Sequence, residues 1–218
     1  MNAEPQPSKV SPRLLRILIF AAVAAPVGYG LGHWMKRGAW TIHLPPSDAL
    51  TLVLASVLVL SGLIVMATAA NRMALGKRIN GEAGRAATPD QVRFYVGQGG
   101  VMLLAGVMLA APPLAVALFN PLSPLLASAV MTGLIALFLL QTVGNIGLWM
   151  RCDELMRRVM AETAAVSFVL LQGLLFLWAA GEKLALLPAM TLWDAFNVTM
   201  IGYLVISVLV GWRRGLVE

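Results

Sequence analysis

The chain has 218 residues, 59% of them hydrophobic and 12% charged, with 16 Lys and Arg against 10 Asp and Glu. A soluble domain carries roughly 45–50% apolar and about 25% charged residues, so this composition excludes disorder and a water-soluble fold. The single cysteine, Cys152, excludes an internal disulfide and a cysteine-based metal cluster, and the net charge of +6 sits between apolar runs, which argues against nucleic-acid binding.

About 20 apolar residues in a helix cross the roughly 30 Å hydrocarbon core of a bilayer. Runs of that kind predict an all-α, polytopic transmembrane bundle with six spans in a single integral-membrane domain, 1–218. A barrel strand would alternate polar and apolar over about 10 residues. Segments such as Leu52–Leu60 are apolar all round and do not alternate. In hydrocarbon each backbone N–H and C=O needs an internal partner, so these runs must be helical.

The first run covers 14–35. Ala21, Ala25, Gly28 and Gly32 recur there at spacings of three and four and form one small-residue face. Such a face lets helices approach closely, which suits packing within the bundle or docking of a partner subunit. The basic tail and Ala22-Val23-Ala24 also fit a cleaved secretory leader, but apolar character continues to Trp34 and favours a retained span. His33 and His43 follow, too few for a multi-histidine site.

The second run covers 50–70, and Pro45-Pro46-Ser47-Asp48 before it predicts a break and an N-cap. Residues 71–98 then form a basic cytoplasmic loop. Gly76-Lys77 within it lacks the other residues of a phosphate-binding loop. Thr88, Pro89 and Gln91 predict a capped helix start there.

The third run, 99–119, contains Pro112-Pro113, which predicts a kink. The fourth, 125–150, carries Gln141 and Asn145 four residues apart on one face. Gln172 in the fifth run, 163–180, is a potential partner, giving either interhelical hydrogen bonds or the lining of a polar pocket. The sixth run, 195–212, has Asp194 in position to cap it. No Asp, Glu, Lys or Arg lies near the middle of any run, which disfavours a proton relay or an ion-coupled pump.

Thirteen cations flank alternate ends of the six runs (Lys9, Arg13, Arg16; Arg72, Lys77, Arg78, Arg85, Arg93; Arg151, Arg157, Arg158; Arg213, Arg214), against Lys36, Arg37 and Lys183 on the other side. This asymmetry predicts an inner-membrane protein with both termini cytoplasmic. All six tryptophans lie at or just beyond run ends, the headgroup level that indole prefers.

The segment 151–162 reads Arg-Cys-Asp-Glu-Leu-Met-Arg-Arg-Val-Met-Ala-Glu. Asp153 with Arg157, Glu154 with Arg158, and Arg158 with Glu162 are spaced for salt bridges on a helical connection. The same residues are candidates for cytoplasmic docking. Between two apolar helices, this stretch resembles the D-E-L-x-R-R-x-x-x-E linker of small uncharacterised bacterial membrane proteins. The resemblance covers about 149–212 and implies a bacterial origin without implying an activity.

The residues predict no catalytic group, no metal site and no cofactor. The leading expectation is a non-catalytic accessory, assembly or interaction subunit whose partners are the lipid bilayer and another membrane protein. A small-molecule transporter or substrate-binding subunit is the alternative, with Gln141, Asn145 and Gln172 as its lining. A lipid-modifying enzyme using Asp153, Glu154 and Glu162 is the third.

Overall fold

The computed structural model describes residues 44–80, 84–119 and 121–215. The chain divides into two compact units, and these residues belong to the one covering Leu44–Val217. The first apolar run, with Ala21, Ala25, Gly28, Gly32 and His33, lies outside the described residues, as does His43.

Six α-helices make up the regular structure of this unit, with no strand among the described residues. They are α1 (Pro46–Ala70), α2 (Arg72–Asn80), α3 (Pro89–Leu118), α4 (Pro124–Arg151), α5 (Glu154–Lys183) and α6 (Leu192–Arg213). All but α2 are long and apolar enough to cross a membrane. This is a multi-pass helical architecture in which five of the six apolar runs are described helices.

The helix ends follow from cap chemistry. Thr88 and Gln91 form the reciprocal capping box that their spacing predicts, and Pro89 occupies the first turn of α3. At α6 the cap is Thr191, not Asp194, so the helix starts at Leu192. Asp194 stands three residues on and its carboxylate accepts from the Thr191 backbone N–H, which is the geometry a capping box requires. At α1 the cap position is Pro45 and no side chain caps the end, contrary to the expectation for Ser47 and Asp48. Pro46 at the first helical position has no N–H to satisfy. Helix α3 continues through Pro112 and Pro113 to Leu118, so the pair lies inside the element. Helix α5 begins at Glu154, well before its apolar run, because Asp153 caps it through Oδ1 to the Met156 N–H at 2.7 Å.

Helices α1 and α3 form the most extensive pair. A Cβ built on Gly62 would stand 2.7 Å from the Gly99 carbonyl oxygen, and one on Gly106 would stand 2.8 Å from that of Ala55. Gly62 thus opposes Gly99 while Ala55 opposes Gly106, so the two helices run antiparallel with backbones in contact. Around this seam Ala55, Leu58 and Leu109 form a core that Met200 and Leu204 of α6 join. On the far side of α6, Val159 packs with Ile206 and Val210. On the far side of α3, α4 meets it where Leu148 fills the space beside Gly97 and Val101 the space beside Gly144. Helix α4 therefore lies at one edge and α5 at the other, each with a broad apolar face exposed.

The segment expected as a basic loop is partly helical. Leu75 of α2 is buried with Ala69 and Ala87, and Ile79, Val92 and Tyr95 pack around them. The Ala87 N–H donates to the Arg72 carbonyl at 2.8 Å, and Arg72 Nε donates back to the Ala87 carbonyl at 3.0 Å. A Cβ on Gly76 would come within 1.9 Å of the Arg85 carbonyl oxygen. Only glycine admits that approach.

Candidate functional site

Three groups of described polar side chains bear on a candidate site. The first is a joint between α1 and α6. Thr51 is fully buried and Asn197 only 2% exposed. The Thr51 hydroxyl lies 2.9 Å from Asn197 Oδ1 and 2.8 Å from the Ser47 carbonyl oxygen, sharing one proton between them. Asn197 Nδ2 donates to the same Ser47 carbonyl at 3.4 Å. The sequence reading missed both residues. Their signal was modest: one amide and one hydroxyl near the starts of their apolar runs, each with a partner far away in sequence. The joint holds no titratable group, so it can fix a helix crossing and cannot transfer a proton.

The second place is the connection from α4 to α5 and the nearby end of α6. Helix α4 stops at Arg151, and Cys152 and Asp153 take extended backbone angles before α5 begins. None of the three ion pairs expected along this segment forms. Asp153 instead caps α5, so its carboxylate is engaged by backbone. The Arg157 guanidinium lies 6.0 Å from the Trp149 ring centre and donates to the Cys152 carbonyl at 3.4 Å. Glu162 turns to α6: Arg214 Nε donates to Glu162 Oε2 at 2.8 Å, and Arg213 stands 3.8 Å from Oε1. Two guanidinium groups on one half-buried carboxylate outcompete a single exposed arginine on its own helix. Glu154 and Arg158 stay exposed.

Cys152 is buried, with Sγ 3.6 Å from Met160 Sδ. Burial raises its thiol pKa, Asp153 raises it further, and Arg157 opposes both. The thiol therefore stays protonated at neutral pH, which makes it a poor nucleophile.

The third place is the pair of outer edges. Gln141 is half-buried on α4, while Asn145 on α4 and Gln172 on α5 are exposed. Among the described residues no hydrogen bond joins any of the three to another side chain. The structure does not bring them together into one described polar cluster, because α4 packs on α3 and α5 on α6. Gln172 lies near the midpoint of its apolar run, about 13 Å from either end at 1.5 Å per residue.

No three His, Cys, Asp or Glu side chains gather as a metal site among the described residues. The arrangement provides interhelical hydrogen bonds, an ion cluster at one end of α5 and α6, and exposed amides at Asn145 and Gln172 within apolar helices. No family model, curated protein or solved structure matches this chain.

Proposed function

We propose that the protein is a non-catalytic, six-span subunit of a bacterial inner-membrane complex that binds another membrane protein through the open face of α5. The observation that carries this reading is Gln172, an exposed amide halfway along an apolar helix, with no partner among the described residues. An amide in hydrocarbon loses its water and gains nothing unless a neighbouring helix supplies a hydrogen bond. Phe168 and Phe176 flank it at i−4 and i+4, both exposed, and give an incoming helix apolar surface on either side of the polar contact.

The remaining parts of the reading rest on charge and sequence. The excess of Lys and Arg at alternate ends of six runs supports cytoplasmic termini. The resemblance of the 151–162 linker to small bacterial membrane proteins supports the bacterial setting.

Purification in mild detergent followed by mass spectrometry tests the proposal. A stoichiometric membrane partner is expected with the native chain and is lost with Gln172→Leu, while the variant still elutes as a folded particle. Recovery of the native protein alone, under conditions that preserve other membrane complexes, would overturn it. So would solute uptake that falls with Gln141→Leu or Asn145→Leu at unchanged folded yield, which is the signature of a transporter.

A further inference from the structure

We propose that the connection between α5 and α6 is a lipid-seated anchor, whose three outward leucines insert among the acyl chains just beneath the headgroups. Residues 184–193 carry no charged side chain. Within them Leu184, Leu186 and Leu192 are 69%, 76% and 91% exposed. In water such a cluster would be a standing cost, which the acyl boundary of a bilayer removes.

The backbone is folded for a dry setting. Helix α5 ends in a Schellman turn. Ala185, at φ 56°, donates its N–H to the Glu182 carbonyl at 3.0 Å, and the Leu186 N–H donates to the Gly181 carbonyl at 2.8 Å. The Leu184 N–H donates to Ala180 and that of Leu187 to Gly181. Further on, the Met190 N–H donates to the Glu182 carboxylate at 3.2 Å and the Thr191 N–H to that of Asp194 at 3.3 Å. Pro188 has no N–H, and its carbonyl accepts from the Trp178 indole at 3.3 Å. Across residues 184–191, only the Ala189 N–H lacks a partner among the described bonds. A loop bathed in water can leave such groups to solvent, whereas one that water scarcely reaches must satisfy them within the protein. Polar groups turned inward and leucines turned outward suit lipid and not water.

The depth agrees. The Leu187 side chain lies 2.7 Å from where a Cβ on Gly181 would stand, so the chain folds back on the last turn of α5 instead of projecting from its end. Trp178 and Trp193 bracket the segment, and indole settles at headgroup level. Leu184 extends the row of Leu177, which is seven residues earlier and also exposed. At 100° per residue, Leu177 lies about 140° round α5 from Gln172. The helix proposed to meet Gln172 therefore leaves this row to lipid, and the loop leucines continue the same lipid-facing flank.

The test uses the full-length protein in phosphatidylcholine bilayer discs, with Cys152→Ala removing the native thiol. Leu186→Cys and Leu192→Cys are made singly, labelled with a nitroxide, and read by power saturation with oxygen and with a water-soluble nickel chelate. Leu170→Cys, exposed halfway along α5, supplies the hydrocarbon reference, and Glu154→Cys, exposed at the start of α5, the aqueous one. Nickel access at 186 and 192 should fall at least about threefold below that at 154, with oxygen access close to that at 170. Nickel access equal to that at 154 would overturn the proposal by placing the loop in water. Low access to both reagents would overturn it as well, because it would show the leucines covered by protein. Both substituted leucines are exposed, so either labelled position decides if the other protein fails to fold.

Discussion

Replacing Gly62 by alanine tests the seam on which α1 and α3 close. The new methyl would stand 2.7 Å from the Gly99 carbonyl oxygen and 3.0 Å from the Leu103 nitrogen, both backbone atoms that cannot rotate away. Ordinary contact needs roughly 3.5 Å, so the helices must separate by about 0.5–0.8 Å. A gap of that size forfeits about a quarter to a half of each dispersion contact along the seam. Overpacking of this kind costs about 1–3 kcal/mol. Alanine's better helix propensity returns about 1 kcal/mol, leaving a net loss of about 0–2 kcal/mol. Gly100→Ala is the matched control, because nothing lies within 4 Å of its Cβ position. It gains propensity and meets no neighbour. Reversible unfolding in mixed micelles of mild detergent and dodecyl sulfate, followed by tryptophan fluorescence, gives both values. Gly62→Ala should be less stable than Gly100→Ala by about 2 kcal/mol, roughly 30-fold in the equilibrium. Equal stability of the two variants would refute close backbone contact at this seam.

The same assay checks the polar joint, where Thr51→Val leaves Asn197 without its hydroxyl partner and should cost about 0.6–1.7 kcal/mol, the range for hydrogen bonds between spanning helices. A double-mutant cycle with Asn197→Leu should show a coupling of similar size, and strict additivity would remove the bond. Glu162→Gln takes the charge from a cluster serving two arginines and should weaken the α5–α6 end by about 1–2 kcal/mol, discounted for the exposure of Arg213; cleavage of the C-terminal tail by protease, faster in the variant, is the readout. Cys152 should react with a maleimide more slowly in the folded protein than in the unfolded chain. Its folded pKa is raised, so it contributes stability that is complete below the unfolded thiol value of about 8.5 and is lost as pH rises beyond it. A folded protein that labels at the unfolded rate at pH 7 would contradict the burial of the thiol.

Hydropathy alone located α1 and α3 to α6, because in lipid a continuous apolar run has few alternatives to a helix. The capping box at Thr88 was equally legible, since Thr, Pro and Gln act within four residues of one another. Contacts between helices were not. The Thr51–Asn197 bond joins residues 146 apart, and no spacing rule links them. Glu162 was assigned to Arg158 by a rule that sees one helix only, whereas its partners arrive from the end of α6. Gly62, Gly99 and Gly106 carried a readable sign. Ala55, Gly62 and Ala69 recur every seven residues on α1, as Gly99, Gly106 and Pro113 do on α3, and all six are buried. Recurrence at seven marks one face of a helix but does not name the helix that lies against it.

Lipid tails are as apolar as leucine, so burial of apolar surface gives spanning helices little drive to associate. Close backbone contact and hydrogen bonds must supply the specificity, and in this unit they are unevenly placed. Helices α1 and α3 share the glycine seam, α1 and α6 the Thr51–Asn197 bond, and α5 and α6 the Glu162–Arg214 pair at one end. Helix α4 meets α3 at Leu148 beside Gly97 and at Val101 beside Gly144, without a described hydrogen bond between the two helices. Along the membrane-deep part of α5, the Ser167 hydroxyl is buried with no partner among the described residues and Gln172 is exposed. The centre of the row is thus specified from within, while the edges hold polar groups that still need acceptors and donors. A partner helix bonding to Gln172 would complete α5 where the protein's own contacts are sparse. Amide hydrogen exchange on the complex should therefore slow along the middle of α5, with little change in α1 and α3, whose packing is already closed.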